Sequence, residues 1–566
     1  MSRRTRIEEQ LHEVRARQAR AREGRQPGTP PDRIGPATVP GLVHHWARTA
    51  PDRTALVFAD GPRRDEIYSY RALDDASDRL AGYLASRGVG AGDRVGVHLP
   101  NCPEFLLAML AVLRLGAVHV PVNPMFKPEE LRHELTDAGA VLVVTADDLA
   151  PALDAARTGT AVRDVLVTGS ADWTAALAHP PLGRIADDPD ALAALNYTGG
   201  TTGMPKGCEH TQRHMVYTAT AIEAGRPPGL RDDGIVSLCY LPVFWIAGEN
   251  LGILAPLVSG GTGVLLPRWD PGTVLAVLER HHVSTMAGTV ENYLELLDHP
   301  DLPRRDLSAL TAPLTVSFIR KLTPGIRARW HTAVGAHSTL REASYGMTET
   351  HTSDTNTLGF QDDDHDLTTT PVFCGLPVPG TDILIADFGT GEPLPLGDRG
   401  EIIVRSPSVM TRYWNAQQAT ERALRHAPGE GDGAPEDRWL HTGDIGSLDG
   451  DGALHYHGRD KDMIKVSGMS VFPTEVETLL GRHPDVLAAA VVAVDDTRRG
   501  QLPYAYVRTA PGSQLTADGL RDWASGSMAS YKLPLVELVD TLPMTATGKI
   551  RKTELAARAS RMRPSP

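Results

Sequence analysis

Cysteine is scarce in this 566-residue chain. The four residues, Cys102, Cys208, Cys239 and Cys374, are scattered without a CxxC pair, which argues against a disulfide framework or a zinc cage and fits a reducing cytoplasm. A surplus of positive charge is lacking as well. Lys and Arg number 57 against 70 Asp and Glu, a net charge of -13, and a general nucleic-acid binder draws on an excess of cations. A local anion site is still allowed. Long apolar runs are missing too: the most apolar stretch, Phe105 to Val122, is interrupted by Arg114 and His119 and falls short of the roughly 18 uncharged residues that a membrane span needs. It reads as a buried helix leading into a strand.

With 41% hydrophobic and 22% charged residues, the composition is that of a globular protein, and the length argues for several domains. Residues 1–35 are rich in Arg, interleaved with Glu8, Glu9, Glu13 and Glu23, and lack the apolar centre of a secretion signal. They read as a solvated helix ending near Gly24 and a Pro/Gly linker; a partner-binding or targeting arm is the other reading. From about Val39, strand-like runs such as RVGVHL and VLVVT alternate with helical stretches such as FLLAMLAVLRLG, which implies parallel sheets faced by helices. Around Gly380 the texture changes to alternating runs with tight Gly turns, the pattern of antiparallel hairpins or a distorted barrel. Beyond Asp451 a strand, a charged turn, a capped helix and further strands compose a small α+β unit.

The run YTGGTTGMPKG, Tyr197 to Gly207, concentrates glycine, threonine and one lysine. Consecutive glycines let backbone amides converge on an oxyanion. Gly199, Gly200 and Gly203 would supply that nest, Thr198, Thr201 and Thr202 hydroxyl donors, and Lys206 a cation, so a polyphosphate is the natural ligand. The spacing is not that of a Walker A loop, because Pro205 stands where that pattern needs its final Gly. A flexible surface loop is the competing reading.

Three further segments and Arg459 bear on the choice. SYGMTET groups Tyr345, an aromatic face for a base, with Thr348, a hydroxyl for a phosphate, and Glu349, a carboxylate for Mg²⁺. WLHTGDIG puts Asp444 in a Gly-flanked turn, where a carboxylate can accept both hydroxyls of a ribose, and Arg459 can assist it. PMTATGKIRK presents Lys549 in a late loop. Each has a bland alternative: a core aromatic for Tyr345, helix caps for Glu349 and Asp444, an exposed tail charge for Lys549. All of them holding at once is harder to sustain than any one.

Taken together, these motifs resemble those of the adenylate-forming superfamily of acyl-CoA synthetases, peptide-synthetase adenylation domains and luciferases, and fatty-acid CoA ligase-like members in particular. The likeness runs from about Val39 to Leu555, and YTSGTTGxPKG is matched with one departure, Gly199 for Ser. It implies an α/β fold: a large N-terminal domain, residues 36–459, of stacked αβαβα sheets plus a distorted β-barrel, and a small mobile α+β C-terminal domain, residues 460–566, turning on a hinge at Lys461. It implies ATP and Mg²⁺, a small-molecule acid converted to its adenylate, and Lys549 bridging the acid and the α-phosphate; CoA is the expected acceptor nucleophile.

Two departures concern the acid. The chain reads LPVFWIAG, with Phe244 and Trp245 at the mouth of the expected acid pocket and Trp where such relatives commonly have His. It also reads TVSFIRKLTPG, placing Phe318, Ile319 and Arg320 where many relatives have Gly-Gly-Ala. Bulk there fills the pocket, so the acid would be short; the alternative is a displaced backbone with the bulk turned into the core. A small pocket opens a second function, an ATP-dependent diazotase of secondary metabolism that activates nitrite and passes it to an aromatic amine, with Arg320 holding the anion. A third is a non-catalytic nucleotide-binding protein.

Overall fold

The computed structural model describes residues 3–23, 25, 36–61, 65–198, 205–226, 234–317, 320–370, 372–426, 438–467, 469–496, 498–545 and 549–562. Four sheets organise them. In the first, the strands Asp164–Val167, Leu142–Thr145, Arg94–His98, Val118–Pro121 and Leu192–Thr198 run parallel in that spatial order, and Lys206–Thr211 closes the edge antiparallel to the last. The second follows the order Arg341–Glu342, Leu314–Val316, Thr285–Thr289, Val236–Cys239, Thr262–Leu265 and Thr54–Ala59, all parallel, with Asp65–Ser69 antiparallel at the far edge. Val118–Pro121 and Leu142–Thr145 are buried at every position, as parallel strands covered on both faces are.

The helix Pro103–Arg114 lies between these two sheets. Every residue of it except Glu104 is buried, and one core joins it to Val95 and Val97 of the first sheet and to Leu56 and Leu265 of the second. A helix that is apolar all round has to be enclosed, and this one leads into the strand Val118–Pro121 as its sequence suggests. The Arg114 that breaks the apolar run is buried but paired, with Asp74 and, at 3.6 Å, with Asp78. This is the expected α/β architecture of stacked layers.

The third sheet is antiparallel and curled: Thr355–Asn356, Phe373–Pro377, Leu454–Arg459, Arg438–Leu448, Gly400–Arg405 and Asp382–Ala386 in order, with Leu424–His426 added on Arg438–Leu448. The fourth belongs to the C-terminal unit, where Val486–Asp496 and Gly500–Thr509 form a long antiparallel ladder flanked by Ile464–Val466, Met469–Val471 and Leu535–Leu538. The short turn Asp460–Asp462 lies between the third and fourth sheets.

The N-terminal helix, Arg3–Arg22, is not solvated on all sides. Ile7, Leu11 and Val14 recur at helical spacing, are buried and join the core of the third sheet beside Ile383 and Trp439. Arg15 pairs with Asp382 at 2.7 Å, and Gln18 Nε2 donates to Gly452 O at 3.0 Å. Single apolar residues three or four apart make a buried stripe that the surrounding charge hides from a composition reading. No helix among the described residues is long and apolar enough to cross a membrane.

Candidate active site

The ends of the first three sheets and the C-terminal unit face a common cavity of about 960 Å³. Thr198 and Lys206 sit opposite each other where the first sheet reaches it. Gly199, Gly200, Thr201, Thr202 and Gly203, which lie between them in sequence, are outside the described residues. Lys206 stands over the ring of Tyr413, 5.1 Å from its centroid, so its ammonium is steadied beside the cavity by a cation–π contact.

Tyr345, Asp444 and Arg459 form one wall. The Tyr345 hydroxyl donates to Asp444 Oδ2 at 2.7 Å, and Arg459 Nε stands 2.9 Å from Oδ1. Asp444 is not in a turn: it lies within the strand Arg438–Leu448, directly across from Arg459, with the ladder shifting register at Ile445 to Gly446. The glycines around it serve that irregularity rather than a loop. Burial pushes the Asp444 carboxyl up, and Arg459 and the Tyr345 hydroxyl oppose that. The arrangement is a buried acceptor with its charge partner already in place.

Thr348 and Glu349 come from the short 3₁₀ turn Thr348–Thr350 and also line the cavity. Glu349 Oε1 accepts from the Tyr413 hydroxyl at 2.7 Å, and its carbonyl accepts from Met410 N at 2.7 Å. The chain leaves this turn through His351, Thr352 and Ser353, all at positive φ (57°, 75° and 71°). Three such non-glycine residues in a row are strained, and strain of this kind collects at functional sites. Gly346 permits it, since a Cβ there would come 2.3 Å from Ser353 N. Behind the turn, His210 Nε2 donates to Thr348 O at 2.8 Å; burial holds His210 well below the ordinary histidine range and pushes His351 down to about 3, so both rings are neutral.

Lys549 enters from the C-terminal unit. Thr545 N donates to its carbonyl at 2.7 Å and its own N–H donates to Thr545 Oγ1 at 3.0 Å, which ties Lys549 to Thr545 beside the cavity. Solvent in the open cleft reaches its side chain, yet protein rings it. Burial first and Arg459 second pull its ammonium below the usual lysine range, while Asp444 and Glu349 pull it up. The late lysine thus faces both carboxylates of the N-terminal domain. Arg320 and Lys461 border the same cavity.

Phe244 and Trp245 do not border it. Both are partly buried against the core that holds Pro103–Arg114, and Trp245 caps the short helix Ile246–Glu249. Phe318 and Ile319 lie outside the described residues. Tyr413 is a site residue that the sequence reading missed: it belongs to no motif, and only folding sets it between Lys206 and Glu349.

Among the described residues no three His, Cys, Asp or Glu side chains stand together as a metal cage. One carboxylate, Glu349, fits magnesium, which keeps several waters and takes one or two protein carboxylates plus substrate phosphates.

A family model described as AMP-binding enzyme matches residues 43–414, and a second, AMP-binding enzyme C-terminal domain, matches residues 475–549. The chain is 32% identical to 4-coumarate–CoA ligase 3 of Oryza sativa subsp. japonica, over 91% of each. It is 31% identical to a long-chain-fatty-acid–CoA ligase of Yersinia pestis, over 94% of this chain and 96% of that one. Among solved structures, the anthranilate CoA ligase AuaEII in complex with anthranoyl-AMP superposes with a TM-score of 0.79 at 25% identity, covering 93% of this chain and 97% of that one.

Proposed function

The chain belongs to the AMP-binding enzyme family, and from that premise we propose that it activates a small acid as its adenylate and passes the activated group to the thiol of CoA. Membership makes it an ATP-dependent, AMP-forming ligase; the acid, the acceptor and the residue roles are our reading. One observation carries that reading: Lys549 of the C-terminal unit meets Asp444, Arg459 and Glu349 of the N-terminal domain in a single cavity that Thr198 and Lys206 also reach.

Each group has a task in that chemistry. Asp444, held by Tyr345 and Arg459, accepts the ribose hydroxyls, and Tyr345 lies against the base. Thr198, with Gly199, Gly200, Thr201, Thr202 and Gly203, cradles the β- and γ-phosphates, and Lys206 adds charge. Thr348 bonds the phosphate chain, and Glu349 holds the Mg²⁺, which neutralises phosphate charge when bound. An acid oxygen attacks the α-phosphorus; the bond to the bridging oxygen of the β-phosphate breaks, and pyrophosphate leaves with the electron pair. Lys549 lies between the acid and the α-phosphate, where negative charge grows, and such fixed charge is the main lever on in-line phosphoryl chemistry. Turning of the C-terminal unit at Lys461 withdraws Lys549 and admits the thiol, which attacks the acyl carbon, releases AMP and loses its proton.

Arg320 in the cavity wall favours one second reading, in which the acid is nitrite and the acceptor an aromatic amine. ATP–pyrophosphate exchange with a panel of organic acids and with nitrite, followed by CoA or an arylamine, decides between them. Exchange driven by an organic acid with thioester formation is the expected result. Exchange with nitrite alone, and product only with the amine, would replace it; no exchange with any acid would remove both.

A further inference from the structure

A ring of buried polar side chains stands directly behind the Thr348–Thr350 turn, and adenylation uses none of it. His119, Ala194 and His210 are opposite one another on three neighbouring strands of the first sheet. Their side chains therefore leave the same face, with two strand spacings, about 10 Å, between the backbones of the two histidines and Ala194 on the strand between them. A second set of contacts links the two histidines through Glu249, Asn250 and His351. Glu249 Oε2 lies 3.4 Å from His119 Nε2, and both side chains are wholly buried. The next residue, Asn250, donates to His351 O at 3.0 Å and to His351 Nδ1 at 3.2 Å, and the His351 ring meets His210 edge to face at 4.8 Å. Between Glu249 and Asn250 the backbone passes from an α-helix into the π-helical turn Asn250–Leu254, a distortion that recurs at functional sites.

Seven buried atoms of this ring have no hydrogen-bond partner among the described residues: both nitrogens of His119, both carboxylate oxygens of Glu249, Asn250 Oδ1, His210 Nδ1 and His351 Nε2. Their character follows from the bonds already made. His210 Nε2 donates to Thr348 O, so Nδ1 of the neutral ring is an acceptor. Asn250 spends its amide nitrogen on His351, leaving its oxygen. With the two oxygens of Glu249, four acceptors face an interior where an unmade bond forfeits solvation, against two N–H donors, His351 Nε2, whose Nδ1 accepts from Asn250, and His119. The complement of such a set is a group rich in N–H donors.

We propose that this ring is a recognition site for the amino group of a substrate. The amine comes either from the acid that is activated or from a separate acceptor amine, and it reaches the ring past the turn that His210 anchors. The proposal rests on the adenylation reading for what happens at the cavity.

The test is calorimetric titration of the full-length protein with 2-, 3- and 4-aminobenzoate, benzoate and aniline. An amino-bearing acid should bind tenfold to a hundredfold more tightly than benzoate, and Glu249→Leu should erase that advantage. If the acceptor is the source, aniline binds, the aminobenzoates show no advantage, and Glu249→Leu abolishes aniline binding. Ala194→Val, which adds bulk on the strand between the two histidines without orphaning a polar group, must act like Glu249→Leu and serves if that variant does not fold. The proposal is overturned if no amine binds, or if any amino preference survives both substitutions, as it would where water alone fills the ring. ATP–pyrophosphate exchange with these compounds and with the wider acid panel, nitrite included, separates the two ideas: amino preference with no exchange from any acid removes the adenylation reading, and exchange without amino preference removes only this one.

Discussion

The Tyr345 hydroxyl donates to Asp444 Oδ2 at 2.7 Å, joining residues 99 apart in sequence. Two motifs that are separate in the chain are one device in the fold. The phenol fixes the carboxylate on one side, Arg459 fixes it on the other, and the acceptor is oriented before any nucleotide arrives.

Tyr345→Phe keeps the ring and removes only the hydroxyl. A hydrogen bond to a charged group contributes about 1.5–3 kcal/mol, so the KM for ATP should rise about tenfold to a hundredfold, with kcat nearly unchanged. Steady-state ATP–pyrophosphate exchange measures it. A fall in kcat with KM unmoved would place Tyr345 at the reacting phosphate instead.

The Tyr413 hydroxyl holds Glu349 Oε1 at 2.7 Å, so Tyr413 sets where the proposed Mg²⁺ ligand points. Outer partners of a ligand typically affect metal affinity by about 10-fold to 100-fold. Tyr413→Phe should therefore raise the Mg²⁺ concentration for half-maximal exchange, and saturating Mg²⁺ should rescue it. Glu349→Gln should not be rescued. A magnesium titration of both variants checks the pair.

The parts of this molecule that were legible in sequence are those where chemistry is written in one continuous segment. Thr198 with Lys206, Tyr345 with Glu349, and Lys549 are each named by their neighbours in the chain, and each reaches the same cavity. The enclosed helix Pro103–Arg114 was equally plain because its apolar side chains are consecutive. What escaped is spread thinly. The apolar stripe of Arg3–Arg22 is one residue in three or four within a charged run. His119, His210, Glu249 and His351 come from four separate segments that no motif joins, and only the register His119–Ala194–His210 together with the contacts of Glu249, Asn250 and His351 shows that they converge. Trp245, expected at the acid pocket on the strength of its motif, is partly buried against the core and does not border the cavity that holds Lys549.

Seating of the N-terminal helix has a direct consequence for stability. Leu11 is 1% exposed in the core of the third sheet, and truncating a buried leucine costs about 2–5 kcal/mol. Leu11→Ala should lower the urea midpoint accordingly with the slope unchanged. Arg15→Ala removes a half-exposed ion pair and should cost less than about 1 kcal/mol. A midpoint indifferent to Leu11→Ala would mean that the helix does not dock in solution.

Lys549 combines two properties that make its role visible in a pH profile. Burial and Arg459 hold its ammonium below the usual lysine range, so the cation is present at low and neutral pH and is lost as pH rises through that lowered value. Adenylation should accordingly fall on the alkaline side sooner than an ordinary lysine would allow, whereas Lys549→Arg, whose guanidinium stays charged, should retain partial activity with that limb moved to higher pH. On the proposed mechanism Lys549→Ala removes charge that acts only while the C-terminal unit is closed on the phosphates, and should lower adenylation about a hundredfold to a thousandfold while sparing thioester formation from a supplied adenylate. The asymmetry follows from the proposed turning at Lys461, which takes Lys549 out of the cavity for the second step. Single-turnover assays of the two half-reactions measure this directly. Equal loss in both would show that Lys549 stays at the site throughout, and the turning at Lys461 would have to be abandoned.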